Sequence, residues 1–398
     1  MRTSGVRPLT AHRTHVVVIG GGYSGALAAN RLQQNADIDI TVINARPVFV
    51  ERIRLHQLVA GSGDATIDLA GMLGENVRLI VDTAERIDVG RRIVELASGD
   101  TVPYDYVIYA VGSTGSVPAS VPGAREFSYP IGELEQVQRS RAAVAGLPRH
   151  ASVCVVGGGL TGIEAASELA EQLPTTRVTL LCGGVLAPSI GENARRSVRR
   201  QLSRLAVEVL DDAVVAEVRA DSVRLTDGRV LPSALTVWTA GFGVPDLAAR
   251  SGLTTDALGR LITDETLASI DDSRIVAAGD SAAPGNQPLR MGCQAAMPLG
   301  AKAASTVLDR VAGRSPAAVS QAFVGQNISI GRHLATIQLS YRDDTPRRIY
   351  LRGKLAASVK EFVCKSTVKS ILREARKPGA FRWPAGTQDF RAQQQAVR

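Results

Sequence analysis

The chemistry available to this chain sits in two matched glycine clusters. Gly20-x-Gly22-x-x-Gly25 follows the apolar run HVVVI, and Gly157-x-Gly159-x-x-Gly162 follows SVCVV. In such a pattern the first glycine makes a tight turn and the second lets backbone approach a pyrophosphate. The third lets a helix close on the strand. The helix that follows points free N–H groups and the positive end of its dipole at the phosphates. A single cluster of this kind is weak evidence, but its recurrence in the same strand–turn–helix context points to two bound dinucleotides. The candidate contacts are Gly20, Gly22, Tyr23, Ser24 and Gly25 in the first turn. Gly157, Gly159, Leu160, Thr161 and Gly162 are their counterparts in the second.

A ribose-binding acid is expected about 20 residues further on, at the end of the next strand. That position holds Asn44 in the first unit and Cys182 in the second. Asn44 still offers a hydrogen bond to a ribose hydroxyl. Cys182 is a poor ribose partner, and the missing carboxylate removes the repulsion that excludes NADPH. No arginine follows immediately, so NADH and NADPH both stay open, with NADH slightly favoured.

The elements that must hold these residues repeat as well. Each glycine turn opens an Ala-rich helical stretch (SGALAANRL, TGIEAASEL) and then a second strand, ITVIN or VTLLC. Strand, turn, helix and parallel strand make a right-handed βαβ unit. Further on, GDTVPYDYVIYAVG and DGRVLPSALTVWTAG both read as a turn with Asp and Gly, then a strand ending at Ala110 and Gly112 or at Ala240 and Gly241. A third segment, RIVAAGDSAA, is a strand ending at Gly279-Asp280 with no glycine fingerprint of its own, so it must complete one of the earlier sheets. The predicted fold is α/β: two Rossmann-type three-layer domains and a C-terminal α+β segment. The first domain is expected over 14–115 and 268–315, and the second over 116–267. Strands, a basic amphipathic helix and a polar tail from Gly386 fill 316–398.

Composition narrows the class. A 398-residue chain with 45% hydrophobic and 21% charged residues has the balance of a globular protein of two or three domains. The net charge of +8 points to an anionic partner. Its excess is local, with nine Lys and Arg between Arg352 and Arg382 against Glu361 and Glu374, and no nucleic-acid-binding motif accompanies it. Cys154, Cys182, Cys293 and Cys364 are far apart, which argues against both a redox dithiol and a local zinc site. The scattered histidines suggest no metal centre either. MRTSGVRPLTAHRT lacks the apolar core of a secretory signal, and no apolar run approaches the ~18–20 residues that cross a bilayer. The expected location is cytoplasmic, or peripheral at the inner face of the cell membrane.

The strings VVVIGGGYSG, VVGGGLTGIEAASEL, RIVAAGD and SIGRHLA, with the AVG and WTAG strand ends, resemble the two-dinucleotide-binding flavoprotein reductases (pyridine nucleotide-disulfide oxidoreductase-like). Within them the chain looks most like type II NADH dehydrogenases. The resemblance implies non-covalent FAD on the first unit, with Gly279 and Asp280 at the flavin ribityl chain. It places NADH or NADPH on the second, with Glu164 near the nicotinamide and the Gln294–Ala295 segment along the flavin ring. Glu164 and Gln294 are the residues it marks as catalytic. Hydride transfer from nicotinamide to flavin is cofactor chemistry, which the protein serves by positioning.

Two departures matter. The stretch after the first unit, NARPVFVERIRLHQLVAG, has no cysteine pair, which excludes disulfide reduction. CQAAMPLG keeps Gln294 but has Pro298 and Leu299 where the resemblance expects further glutamines, so quinone reduction is less secure. The expected acceptor is quinone-like. An electron-transfer protein such as ferredoxin, or a sensing role with little turnover, are the alternatives. Arg52, Arg54, His56 and Gln57 line the flavin or acceptor pocket or lie on a surface helix with salt bridges. The helix over 354–377 places Leu355, Val359, Phe362, Val363, Val368, Ile371 and Leu372 broadly along one side, where they meet either lipid or the FAD domain. A homodimer is compatible with all of this.

Overall fold

The computed structural model describes residues 13–387. Most of the segment read for targeting and most of the polar tail lie outside them. β1 (Thr14–Ile19) runs through the first glycine turn into α1 (Tyr23–Leu32) and β2 (Ile38–Asn44). α2 (Leu55–Ala60) then leaves the sheet before β3 (Val77–Val81) and β4 (Tyr106–Tyr109) return to it. A three-stranded antiparallel meander over 84–103 supplies the crossover between β3 and β4.

The second unit repeats the design. β5 (Ser128–Pro130) and α3 (Leu134–Ala145) lead into β6 (Ser152–Val156), the second glycine turn, α4 (Leu160–Gln172) and β7 (Arg177–Leu181). α5 (Glu192–Arg204), β8 (Glu208–Leu210), a second meander over 215–232 and β9 (Leu235–Trp238) follow. Its strands are ordered β5-β9-β6-β7-β8, all parallel.

β10 (Ile275–Ala277) pairs parallel with β4, so the first sheet reads β10-β4-β1-β2-β3 and has the same layout. The edge strand is donated from downstream in one sheet and from upstream in the other. The central strands are apolar on both faces because helices and meander cover both sides; Val16, Val17, Val18, Val153 and Val155 are fully buried. The expected α/β architecture with two Rossmann-type sheets is what the chain forms.

α6 (Cys293–Val311) packs along α1, and the contact is closest at one point. A Cβ on Gly300 would lie 2.2 Å from the Ser24 carbonyl oxygen. The chain ends in an antiparallel sheet, β11 (Gly325–Ile330), β12 (Leu334–Ser340) and β13 (Pro346–Arg352), followed by α7 (Gly353–Arg376).

The buried stripe of α7 differs from the predicted one. Ala356, Lys360, Cys364, Thr367, Ile371 and Glu374 face inward, while Leu355 and Phe362 are 67% and 71% exposed. The apolar pattern misplaces the stripe because two of its inward positions are charged. Glu374 accepts hydrogen bonds from Arg31 Nε (2.8 Å), Gly379 N (2.7 Å) and Phe381 N (2.6 Å), which seats the helix on α1.

Gly300→Ala separates two opposing effects. Helix propensity favours alanine by up to about 1 kcal/mol, whereas forcing α6 off α1 costs about 1–3 kcal/mol. The packing term wins, so urea denaturation should show a lower midpoint; an unchanged or raised midpoint would contradict the close contact.

Candidate functional site

Both glycine turns are built alike, and each glycine has a distinct reason to be there. Gly20 (φ +99°) and Gly157 (φ +123°) occupy backbone that disfavours side chains, and their Cβ atoms would meet Ala110 O and Thr239 Oγ1 at 2.4 Å. Cβ atoms on Gly25 and Gly162 would each lie 1.8 Å from the carbonyl oxygen of the turn's first glycine. The middle glycines differ. Gly22 (φ −77°, ψ −164°) and Gly159 (φ −77°, ψ −177°) have backbone any residue adopts, and nothing lies within 4 Å of their missing Cβ. Neither conformation nor packing within the chain calls for glycine there. Free space at a helix N-terminus is what a pyrophosphate requires.

The strand-end residues serve the turns themselves. Asn44 Oδ1 accepts from Gly21 N (2.8 Å) and its Nδ2 donates to Arg46 O (2.6 Å). Cys182 is fully buried beneath the second turn, with its thiol against Gly158, and burial pushes that thiol up to about 12. Leu160 and Thr161 begin α4, half-buried, while Tyr23 and Ser24 begin α1, buried. Tyr23 packs edge-on against Phe49 with its hydroxyl unpartnered. Ser24 fills the space beside Gly279, whose φ of +72° turns the chain after β10.

Asp280 closes a small polar knot at the C-terminal edge of the first sheet. Its Oδ2 accepts from Ser113 Oγ (2.7 Å) and its Oδ1 from Gly292 N (3.0 Å), just before α6. Arg52 donates to the Ser113 carbonyl and to Ser113 Oγ. Burial holds the Arg52 guanidinium below its usual range, opposed by the nearby Asp280 carboxylate. Ala110 and Gly112 lie on this edge, and Ala295 is buried in the first turn of α6. Gln294 reaches away to the C-terminal segment: its Oε1 accepts from Val324 N (3.0 Å) and its Nε2 donates to Gly325 O (3.4 Å).

The two sheet edges are joined. The strand leaving β4 pairs antiparallel with the strand leaving β9, Thr114 with Gly243 and Gly115 with Phe242. Gly241 (φ +87°) turns the second of these, and Trp238 Nε1 donates to Ala240 O (2.8 Å). The C-terminal edges of both sheets, where dinucleotides bind in open α/β sheets, are thereby tied together.

Glu164 is the centre of a buried network that sequence patterns did not foretell. Its Oε1 accepts from Ser329 N (3.0 Å), Ser329 Oγ (3.1 Å) and the Lys360 ammonium. His56 Nδ1 lies 3.7 Å from Oε2, and His56 Nε2 lies 3.3 Å from Ser329 Oγ. Lys360 also donates to Ser329 Oγ (3.2 Å) and Asn327 O (3.4 Å). α2, α4, β11 and α7 thus all contribute to it, β11 through both Ser329 and the Asn327 carbonyl. Burial lowers Lys360 to about 8. Burial, and then the Lys360 charge, pushes His56 well below its ordinary value, so it is neutral near neutral pH. One turn along α4, Glu168 is fully buried; it accepts from Ser62 Oγ, and its burial raises it.

The surface-helix reading of Arg54, His56 and Gln57 is therefore corrected. All three are buried, because α2 inserts Leu55, Leu58 and Val59 into the core of the second unit. Lys360 is likewise an interior group rather than a solvated member of a basic face. Outside the site, Ile349, Leu351, Leu355 and Phe362 form an exposed apolar set on β13 and α7 among basic residues. Among the described residues no helix is long and apolar enough to cross a membrane.

Comparison with known proteins agrees with this construction. An NADH dehydrogenase-like protein of Mycobacterium tuberculosis is 32% identical over 324 residues, 74% of this chain and 80% of the relative. A type II NADH:quinone oxidoreductase of Haemophilus influenzae is 25% identical over 326 residues, covering 68% and 73%. The fold is shared with NDH2 of Plasmodium falciparum solved with NADH (TM-score 0.76, 15% identity, 94% of this chain and 99% of that one). The sequence profile described as pyridine nucleotide-disulphide oxidoreductase matches residues 14–306. The chain belongs to that family, in its NADH dehydrogenase-like branch: it is an NAD(P)H oxidoreductase, with FAD and NADH the cofactors that membership implies.

Proposed function

We propose that the chain binds FAD on the first glycine turn and NADH or NADPH on the second, and delivers two electrons to a quinone-type acceptor. Residues 14–115 with 268–315 form the flavin domain in this reading, 116–267 the nicotinamide domain, and 316–398 the segment that completes the acceptor side. The observation that supports it is the pair of middle glycines at the two helix N-termini, which neither backbone conformation nor packing requires. When bound, the flavin supplies hydride acceptance from the nicotinamide ring.

The chain's own residues do the rest. The α1 and α4 N-termini hold the two pyrophosphates, Asp280 and Ser113 fix the polar rim of the flavin pocket, and the paired crossing strands hold the two sites together. The Glu164–Lys360 pair is buried and hydrogen-bonded, and in this reading it supplies a proton that the reduced acceptor takes up. Leu355 and Phe362, exposed between lysines, suit an anionic lipid surface that delivers an apolar acceptor.

Asp is a favoured residue at a helix N-cap, so Gly22→Asp and Gly159→Asp should fold while setting a carboxylate against phosphate. Gly22→Asp is expected to purify without flavin. Gly159→Asp should stay yellow but need at least about tenfold more NADH for half-maximal bleaching. Identical behaviour of both variants would contradict the assignment.

Lys360 carries its proton below about 8 and loses it above. Acceptor-dependent turnover should therefore fall as pH rises through that value. Lys360→Met should lower turnover near neutral pH by about a hundredfold and flatten the profile; a wild-type profile in the variant would exclude the lysine as proton source.

Anionic vesicles should float the wild-type protein and lose a Leu355→Glu/Phe362→Glu variant. Equal flotation of the two would dismiss the lipid-facing role of this surface.

A further inference from the structure

A cation from α5 stands beside the second glycine turn. At the end of β7 the chain reads Cys182-Gly183-Gly184, and Cys182 is turned inward under Gly158. The position that would repel a phosphorylated ribose therefore presents no carboxylate of its own. Gly183 is exposed and Gly184 half-exposed, and a Cβ on either would meet nothing within 4 Å. The turn is held on both sides, by Ala187 N donating to Gly158 O (2.7 Å) and by Ala213 N donating to Cys182 O (2.7 Å).

That second tie sets the loop after β8 directly alongside. Asp212 N donates to Gly184 O (2.9 Å), and Asp211 Oδ1 accepts from Leu186 N (3.0 Å). Asp211 Oδ2 in turn receives Arg199, which reaches over from α5. Both charges act on Cys182 itself, Asp211 raising its thiol and Arg199 lowering it, after the larger effect of burial. A guanidinium, 42% exposed, thus stands beside the open glycine pair, although Arg199 is seventeen positions from Cys182 in the chain. Val185 and Val214, 48% and 44% exposed, lie on the same two loops and offer apolar surface to an adenine ring.

We propose that Arg199, with the Cys182–Gly184 turn, is an adenosine 2′-phosphate subsite, so that this chain takes NADPH and not NADH alone. The inference rests on the reading of the second turn as the nicotinamide-nucleotide site. Arg199 is the specificity-determining residue, and Asp211 is its competitor. A partly exposed ion pair of this kind contributes little and opens readily, whereas a phosphate dianion offers the guanidinium two parallel charge-assisted hydrogen bonds. NADH, with a bare 2′-hydroxyl, leaves the Arg199–Asp211 pair closed.

The test uses the FAD-loaded full chain and two probes without a nicotinamide, 2′,5′-ADP and 5′-ADP, titrated calorimetrically. The wild type should bind 2′,5′-ADP about tenfold or more tightly than 5′-ADP. In Arg199→Ala that ratio should collapse to about one, whatever the absolute affinities. Asp211→Asn keeps the oxygen that accepts from Leu186 while freeing the guanidinium, and should widen the ratio. It gives an independent answer if the alanine variant folds poorly. A wild-type ratio of one, or a ratio that survives Arg199→Ala, overturns the subsite even if NADH bleaches the flavin normally. Failure of both probes to bind, with a flavin that NADH cannot bleach, overturns the reading beneath it as well.

Discussion

Both glycine turns depend on how closely a helix can approach the end of the strand before it. At both turns the third glycine's Cα sits against the first glycine's carbonyl oxygen, where even a methyl group would lie 1.8 Å from that oxygen. That approach aims the N-termini of α1 and α4 out of the C-terminal edges of their sheets. It also leaves the middle glycine facing open space. The parallel, apolar central strands and the helix α6 pressed onto α1 hold that geometry rigid.

A second constraint joins the two sites. Antiparallel pairing of the segments leaving β4 and β9 brings the two sheet edges together, and the core of the second unit extends into α2 and β11. Because α2 departs from the first unit and buries itself in the second, His56 arrives beside Glu164. Because α7 folds back over α1 and the last sheet, Lys360 arrives there too. A buried ion pair is a poor source of stability, since desolvation offsets much of its attraction. Its presence between four segments fits a role in proton handling better than a role in holding the fold.

Much of the fold was legible in the sequence. The duplicated strand–glycine–helix–strand pattern carries its own periodicity, and the matched strands ending at Gly112 and Gly241 revealed the repetition. The α/β class and the family resemblance both followed from local patterns. What stayed hidden was non-local. Lys360 looks like any other lysine of a basic helix, and no spacing rule connects it to Glu164 or to Ser329 across the chain. His56 and Arg54 could be read either as pocket-lining or as a surface helix, because burial by another domain leaves no mark on six residues. Arg199 lies too far from Cys182 for a ribose-site rule based on sequence distance to find it. The strand-end residues Asn44 and Cys182 were expected at the ribose, and in the structure they also brace the glycine turns, Asn44 through Gly21 N and Cys182 beneath Gly158. A short side chain at that position suits either use, and the bracing contacts become visible only in the packing.

On the function proposed above, two pyrophosphate-binding turns present a flavin and a nicotinamide to each other within one chain. Anaerobic titration of the FAD-reconstituted protein with NADH tests it most directly. The expected result is one tightly held flavin per chain, whose yellow absorbance is bleached in proportion to added NADH and fully by one equivalent. Protein that remains colourless after reconstitution, or stays yellow in excess reduced nucleotide, would contradict it.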